Sequence, residues 1–168
     1  MLLWYQMVNQ VKKGVVMTDI ERAYLAGFFD GEGCCMISPN CTVKIIVTQK
    51  DREVLEWLIR EYGGKVYTNG AKYPRWSLFK RDTILRFLKD LRPYLRQKTV
   101  EVDYGIEMLE LSATNHTRPQ RKDGKFLPNP NKERKEQLFA LYRTYRNRTS
   151  LQSVALRKRL EENKQHPS

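Results

Sequence analysis

No run of apolar residues in this sequence approaches the roughly 18 needed to cross a bilayer. The opening stretch MLLWYQMVNQVKKGVVM is interrupted by Asn9, Gln10, Lys12 and Lys13, so it reads as neither signal peptide nor anchor. Cysteine is scarce, with Cys34, Cys35 and Cys41 falling close together, and the only histidines are His116 and His166. A structural zinc site needs a CxxC-type pair with further Cys or His, which this set does not offer. The cysteines read instead as small, buried or half-buried residues of a reduced protein. The expected location is the cytoplasm, or an organellar matrix if the gene is organellar, and not outside the cell. No internal repeat is present. Acids are also short: 19 Asp and Glu stand against 31 Lys and Arg, a formal charge of +12. That excess is larger than solubility requires and implies a polyanionic partner, nucleic acid ahead of an anionic membrane surface.

What is present centres on Ala23 to Gly33, AYLAGFFDGEG. Thr18 and Glu21 form a capping box, so a helix is expected from about Asp19 to Asp30. Gly31 and Gly33 are read as its breakers and as points of close backbone approach. Asp30 and Glu32 then lie at the negative end of the helix dipole, where each carboxylate costs roughly 0.3–1 kcal/mol. A compensating positive group is expected, a divalent metal being one candidate; the alternative is two acids that merely solvate a helix end. Ala23, Ala26, Gly27 and Gly31 are small, and Gly27 inside a helix costs about 1 kcal/mol relative to Ala. A close helix-to-helix contact is the expected reason.

The rest of the chain alternates between element types. Residues 1–17 read as an N-terminal extension. Strands are expected over 34–38 and 41–48, the second with Val43, Ile45 and Val47 on one face and Thr42, Lys44, Ile46 and Thr48 on the other. Asp51 caps a helix reaching Tyr62, with Val54, Leu55, Leu58 and Ile59 as its apolar stripe, and Gly63-Gly64 ends it. A second hairpin spans 65–68 and 75–80, placing Lys65, Tyr67, Asn69, Arg75 and Ser77 on one face and Val66, Trp76 and Leu78 inward. A helix over 82–91 follows, with Ile84, Leu85, Leu88 and Leu91 inward, and another runs from Thr99 to Leu111. Beyond a polar loop at 112–132, helices are expected at 133–147 and 151–160. From Ser112 onward there are 14 basic and 5 acidic residues. Arg118, Arg121, Lys122 and Lys125 are therefore candidates for phosphate contact, while 161–168 reads as a solvated tail.

Leu25-Ala26-Gly27-Phe28-Phe29-Asp30-Gly31-Glu32-Gly33 resembles the signature of the LAGLIDADG homing endonucleases. Over about residues 18–98, the element order matches the αββαββα core of that family. The resemblance implies an α+β fold with an antiparallel DNA-binding sheet and added C-terminal helices. The core would span 18–111, and 112–168 would supply the basic loop and C-terminal helices of the same domain. One-motif members act as homodimers, so this chain is expected to pair with itself, with Ala23, Ala26, Gly27 and Asp30 at the contact. Asp30 resembles the structural acid that accepts hydrogen bonds where two helices meet. Glu32 and the Gly31 carbonyl resemble the metal ligands, for Mg²⁺ with Mn²⁺ or Ca²⁺ able to substitute for binding. Gln49 resembles the polar residue that orients water, and Lys98 the basic residue near the scissile phosphate, with Arg52 as a second basic candidate. Ordinary surface polarity is the competing reading for Gln49 and Lys98.

The outward strand faces then become a base-reading surface, since a two-stranded ribbon fits the major groove. The expected contacts are Ser38, Asn40, Thr42, Lys44, Lys65, Tyr67, Asn69, Arg75 and Ser77, with Ile46 against a thymine methyl. The resemblance implies site-specific double-strand cleavage of DNA by a homodimer on a long, pseudo-palindromic, intron-associated target. The alternatives are an RNA maturase acting on intron RNA, or a DNA-binding regulator that does not cut. Retention of Glu32 favours the nuclease.

Overall fold

The computed structural model describes residues 17–68, 70, 72–113 and 129–165. Asn69, Arg118, Arg121, Lys122, Lys125 and the apolar residues of the N-terminal extension lie outside them. Helix α1 spans Asp19–Glu32. Its capping box is complete: Glu21 N–H donates to Thr18 Oγ1 at 3.3 Å, and Thr18 N–H donates to the Glu21 carboxylate at 2.7 Å. The helix does not stop at Asp30. It continues through Gly31 and Glu32, and Gly33 ends it with its N–H on the Phe29 carbonyl. A Cβ at Gly33 would overlap the Phe29 ring, whereas one at Gly31 would meet nothing within 4 Å. Gly33 is thus the residue whose missing side chain is required.

The chain passes straight from α1 into β1 (Gly33–Ile37), then β2 (Val43–Thr48), helix α2 (Arg52–Tyr62), β3 (Lys65–Tyr67), β4 (Arg75–Leu78) and helix α3 (Arg81–Leu91). A 3₁₀ turn (Arg92–Tyr94) leads to α4 (Thr99–Ala113), and α5 covers Lys132–Gln165. The four strands form one antiparallel sheet in the order β1-β2-β4-β3. Gly63 and Gly64, both at positive φ, turn the chain from α2 into β3, and Trp76 Nε1–H donates to the Gly63 carbonyl at 2.8 Å.

Cys35, Ile37, Val43, Ile45, Val47, Trp76 and Leu78 are buried on one face of the sheet. The helices cover that face, and among the described residues the other is open. Phe87 of α3 is the hub of the core, meeting Phe29, Tyr62 and Trp76 at ring-centroid distances of 5.3, 4.9 and 5.5 Å. Such pairs add about 0.5–1.5 kcal/mol each beyond area burial. The buried stripe of α2 is Leu55, Leu58 and Tyr62, and Ile59 faces outward; in α3 it is Phe87 rather than Leu85 that is buried.

The two helices expected at the C-terminus are one. Nothing in Asn147-Arg148-Thr149-Ser150 breaks the ladder, and Thr149 Oγ1 donates back to the Tyr145 and Arg146 carbonyls at 3.2 and 2.9 Å. Leu138 and Tyr142 of α5 join the same core as Val102, Met108 and Leu109 of α4. Arg146 donates to Glu101 at 2.8 Å. Cys35 is fully buried, Cys34 and Cys41 are half-buried, and all three are free thiols. Burial pushes the Cys35 thiol well above its ordinary range. No described helix is long and apolar enough to cross a membrane.

Candidate active site and sheet surface

The turn after α3 creates the site. Buried Leu95 anchors the chain beyond the 3₁₀ turn, and the next three residues present their N–H groups to the end of α1. Asp30 Oδ2 accepts from Arg96 N–H at 2.8 Å and Gln97 N–H at 3.2 Å, and Oδ1 accepts from Lys98 N–H at 3.0 Å. Because Lys98 immediately precedes α4, the Asp30 carboxylate also faces the positive end of that helix. Burial pushes the Asp30 carboxyl up, but the N–H donors of Arg96, Lys98 and Gln97 outweigh it and hold the group below the ordinary carboxylate range. The Lys98 ammonium donates to the Asp30 backbone carbonyl. The positive charge expected at the end of α1 is therefore supplied by Lys98.

Glu32 stands beside this arrangement as the last residue of α1, exposed and without a hydrogen-bond or ion-pair partner among the described residues. Gly31 is exposed as well. Both offer hard oxygen donors, a carboxylate and a carbonyl, of the kind Mg²⁺ accepts. Among the described residues no three acidic, histidine or cysteine side chains converge on one point. These two donors leave the remaining positions around such an ion to water, phosphate or a second copy of the chain.

Gln49 follows β2, where its N–H donates to the Pro74 carbonyl at 3.1 Å and its Oε1 accepts from Lys50 N–H at 2.7 Å. It lines an open cleft of about 680 Å³ with Tyr24, Phe28, Lys50, Asp51 and Val54, and Phe28 lies one turn before Glu32. Arg52 does not line this cleft; it starts α2 exposed, 4.0 Å from Glu56.

The outward face of α1 carries Ile20, Ala23, Tyr24, Gly27 and Gly31 at helical spacing, with Ile20 83% and Tyr24 55% exposed. A Cβ at Gly27 would meet nothing within 4 Å. The expected contact set needs correction in two places. Ala26 is fully buried on the opposite face, between Leu25 and Phe29 in the stripe that packs into the core. Asp30, only 9% exposed, meets the 96–98 turn of its own chain rather than a second copy.

On the open face of the sheet, register aligns Cys34, Ile46, Ser77 and Lys65 in one row and Thr48, Arg75 and Tyr67 in another, with Met36 beside Lys44. Lys44, Lys65, Tyr67 and Arg75 are exposed and Ile46 is half-buried. Ser77 lies on this face, on an inner strand between two others, and is only 6% exposed. Ser38, Asn40 and Thr42 form the β1–β2 turn: Ser38 Oγ donates to Asn40 Oδ1 at 2.6 Å, and Thr42 N–H donates to the same oxygen at 3.3 Å. Sequence reasoning missed Phe79, which is 50% exposed on this face. The alternation that gave Arg75 and Ser77 would have reached it two residues later.

Helices thus back one face of a four-stranded antiparallel sheet, and Asp30-Gly31-Glu32-Gly33 stands where the first helix ends. Residues 19–91 match the family model of the LAGLIDADG-like domain. Solved structures with a similar fold include three homing endonucleases or meganucleases of that group. I-AabMI, bound to uncleaved DNA, is 25% identical with a TM-score of 0.51, over 61% of this chain and 40% of that one. I-TnaI is 19% identical with a TM-score of 0.51, over 74% of this chain and 99% of that one. I-CvuI, in complex with a DNA target in the presence of Mg, is 19% identical with a TM-score of 0.50, over 58% of this chain and 71% of that one. Among curated proteins no significant sequence match is found.

Proposed function

We propose that two copies of this chain pair through α1 and cut double-stranded DNA at a long, near-palindromic site by metal-dependent phosphodiester hydrolysis. The observation that carries this reading is Glu32: an exposed carboxylate without a described partner, at the end of a helix whose free face is apolar and carries small residues at Ala23, Gly27 and Gly31. Pairing along Ala23 and Gly27 would bring two Glu32 carboxylates together, each with its Gly31 carbonyl. Two-fold symmetry of the protein is then mirrored in the target. The likeness to I-AabMI, which was solved on DNA, supports duplex DNA as the substrate, and the charge of +12 suits a polyanion.

The division of labour follows from the positions. Mg²⁺ held by Glu32 and the Gly31 carbonyl would supply an activated water and neutralise charge at the phosphate. Asp30 is a positioning residue that ties the end of α1 to the start of α4 and so fixes where Glu32 and Lys98 stand. The Lys98 ammonium, now on a backbone carbonyl, can transfer to a phosphate oxygen that approaches the same end of the helix. Gln49, one wall of the neighbouring cleft, can orient water there. Lys44, Lys65 and Arg75 face the groove.

The test uses duplex DNA made by joining the sequences that flank the host intron, incubated with purified protein and Mg²⁺ beside Glu32→Gln. The expected result is a discrete double-strand cut that the variant loses while it still binds. Retained cutting by the variant overturns the assignment of Glu32. Specific binding without a cut indicates a regulator, and tight binding to the intron RNA alone indicates a maturase.

A further inference from the structure

Phe79 is a large apolar side chain left half-exposed on the open face of the sheet, among Lys44, Lys65 and Arg75. It does not dangle there. Leu78 pairs with Ile45, so continuing the register sets Phe79 beside Lys44, and the Lys44 Nζ lies 5.8 Å from the ring centroid. From the neighbouring strand the Tyr67 ring meets it edge-to-face, with centroids 6.3 Å apart and planes at 83°. Tyr67 is opposite Arg75, while Phe79 lies two residues beyond Ser77 in the other direction. The two rings therefore lean toward each other along the strand, across the position of buried Ser77. A position that could have hydrogen-bonded a base edge is thus overlaid by an aromatic pair with a cation fixed beside it.

The chemistry this trio can recognise is narrow. The major groove offers donors, acceptors and one apolar group, the methyl on C5 of thymine. A ring with half its surface free has that methyl as its natural contact. The ammonium held by the cation–π contact is a donor suited to guanine O6 and N7. With base steps of about 3.4 Å, the two contacts fall within one or two steps of each other.

Building on the duplex-DNA reading, we propose that Phe79, braced by Tyr67 and Lys44, reads a C5 methyl in each half-site next to a guanine contacted by Lys44. It accepts 5-methylcytosine as well as thymine, since both present the same methyl. Sequence reasoning gave the methyl contact to Ile46, but Ile46 is half-buried in the row between Cys34 and Ser77, and Phe79 is the more exposed.

The experiment begins with duplexes selected by the full-length protein from a randomised pool. Each thymine of the recovered site is then replaced by deoxyuridine, which removes only the methyl. One position per half-site is expected to lose affinity about three- to fivefold, the worth of one buried methyl. At that position 5-methylcytosine should bind tighter than cytosine by the same factor. Phe79→Ala should abolish both differences, and Phe79→Leu, which keeps an apolar group, should retain part of them. Selective duplex binding with no methyl-sensitive position that depends on Phe79 overturns the inference and leaves the DNA reading intact. Failure to select any duplex overturns both. If single-stranded oligothymidine binding falls in Phe79→Ala while duplex binding does not, the ring is a stacking platform for unpaired bases and the inference is also overturned.

Discussion

Gly27 lies in the middle of α1 on its outward face, and among the described residues nothing beyond the helix's own backbone lies within 4 Å of where a Cβ would be. Among the described residues of one chain the glycine therefore has no packing partner, and it weakens the helix by about 0.8–1.0 kcal/mol relative to Ala. Gly27→Ala should stabilise the isolated protomer by that amount, raising its melting temperature by about 2–4 °C for a chain of this size. If α1 is where two copies meet, the same methyl must be accommodated at a close helix crossing and weakens association, as packed interfaces tolerate added volume poorly at about 1–3 kcal/mol. The two effects have opposite signs and separate by concentration. Melting of the native protein should rise with protein concentration, since association stabilises the folded state. Melting of Gly27→Ala should start higher in dilute solution and depend less on concentration, with Gly27→Leu showing the loss of dimer more strongly by sedimentation. A variant that dimerises as well as the native protein would refute the placement of the interface on this face. A variant less stable when dilute would refute the open surroundings of Gly27.

Asp30→Asn replaces one of two acceptor oxygens with an amide that points at N–H donors, which should cost about 1–3 kcal/mol in urea unfolding. The native carboxyl titrates below its unfolded value, so its contribution is complete above the unfolded pKa of about 3.9. That contribution is lost as pH falls through the folded pKa, and the gap between the native protein and the variant should narrow below about pH 4. Gly33→Ala should destabilise by about 1–3 kcal/mol through overlap with the buried Phe29 ring, whereas Gly31→Ala, in open space, should not; denaturant midpoints compare them directly. Tyr142→Phe removes the hydroxyl that donates to the Cys35 carbonyl at 3.0 Å and should cost about 1 kcal/mol by the same measurement.

Local signals carried the element order. The capping box at Thr18, the Asp51 cap, the glycine pair at 63–64 and the alternation in β2 each act over a few residues, and each reappears in the structure. The end of α1 was misplaced because Gly31 looks like a breaker. Its penalty of about 1 kcal/mol is offset by continuing the hydrogen-bond ladder, and the ring of Phe29 decides that the turn comes at Gly33. Ala23 and Ala26 are equally small, so size could not say which faces outward. That depended on Leu25 and Phe29 drawing Ala26 inward with them. Strand alternation placed Ser77 on the correct face but carries no information about its neighbours on an inner strand. The partner of Asp30 could not be read at all, because it is three backbone N–H groups 66 to 68 residues away.

The hydroxyl of Tyr142 has a consequence for solubility. β1 is an edge of the sheet, and an uncovered edge presents backbone groups on which another strand can build. Helix α5 reaches that edge at Tyr142, which donates to the Cys35 carbonyl, and its Lys135 carbonyl accepts from Cys41 Sγ at 3.8 Å just beyond the strand. The opposite edge, β3, is three residues long and carries Lys65, which leaves little template for pairing. A chain shortened before Lys132 would lose both the core residues Leu138 and Tyr142 and the contact on its longer edge. The long basic helix thus places a contact on the edge where another strand could add.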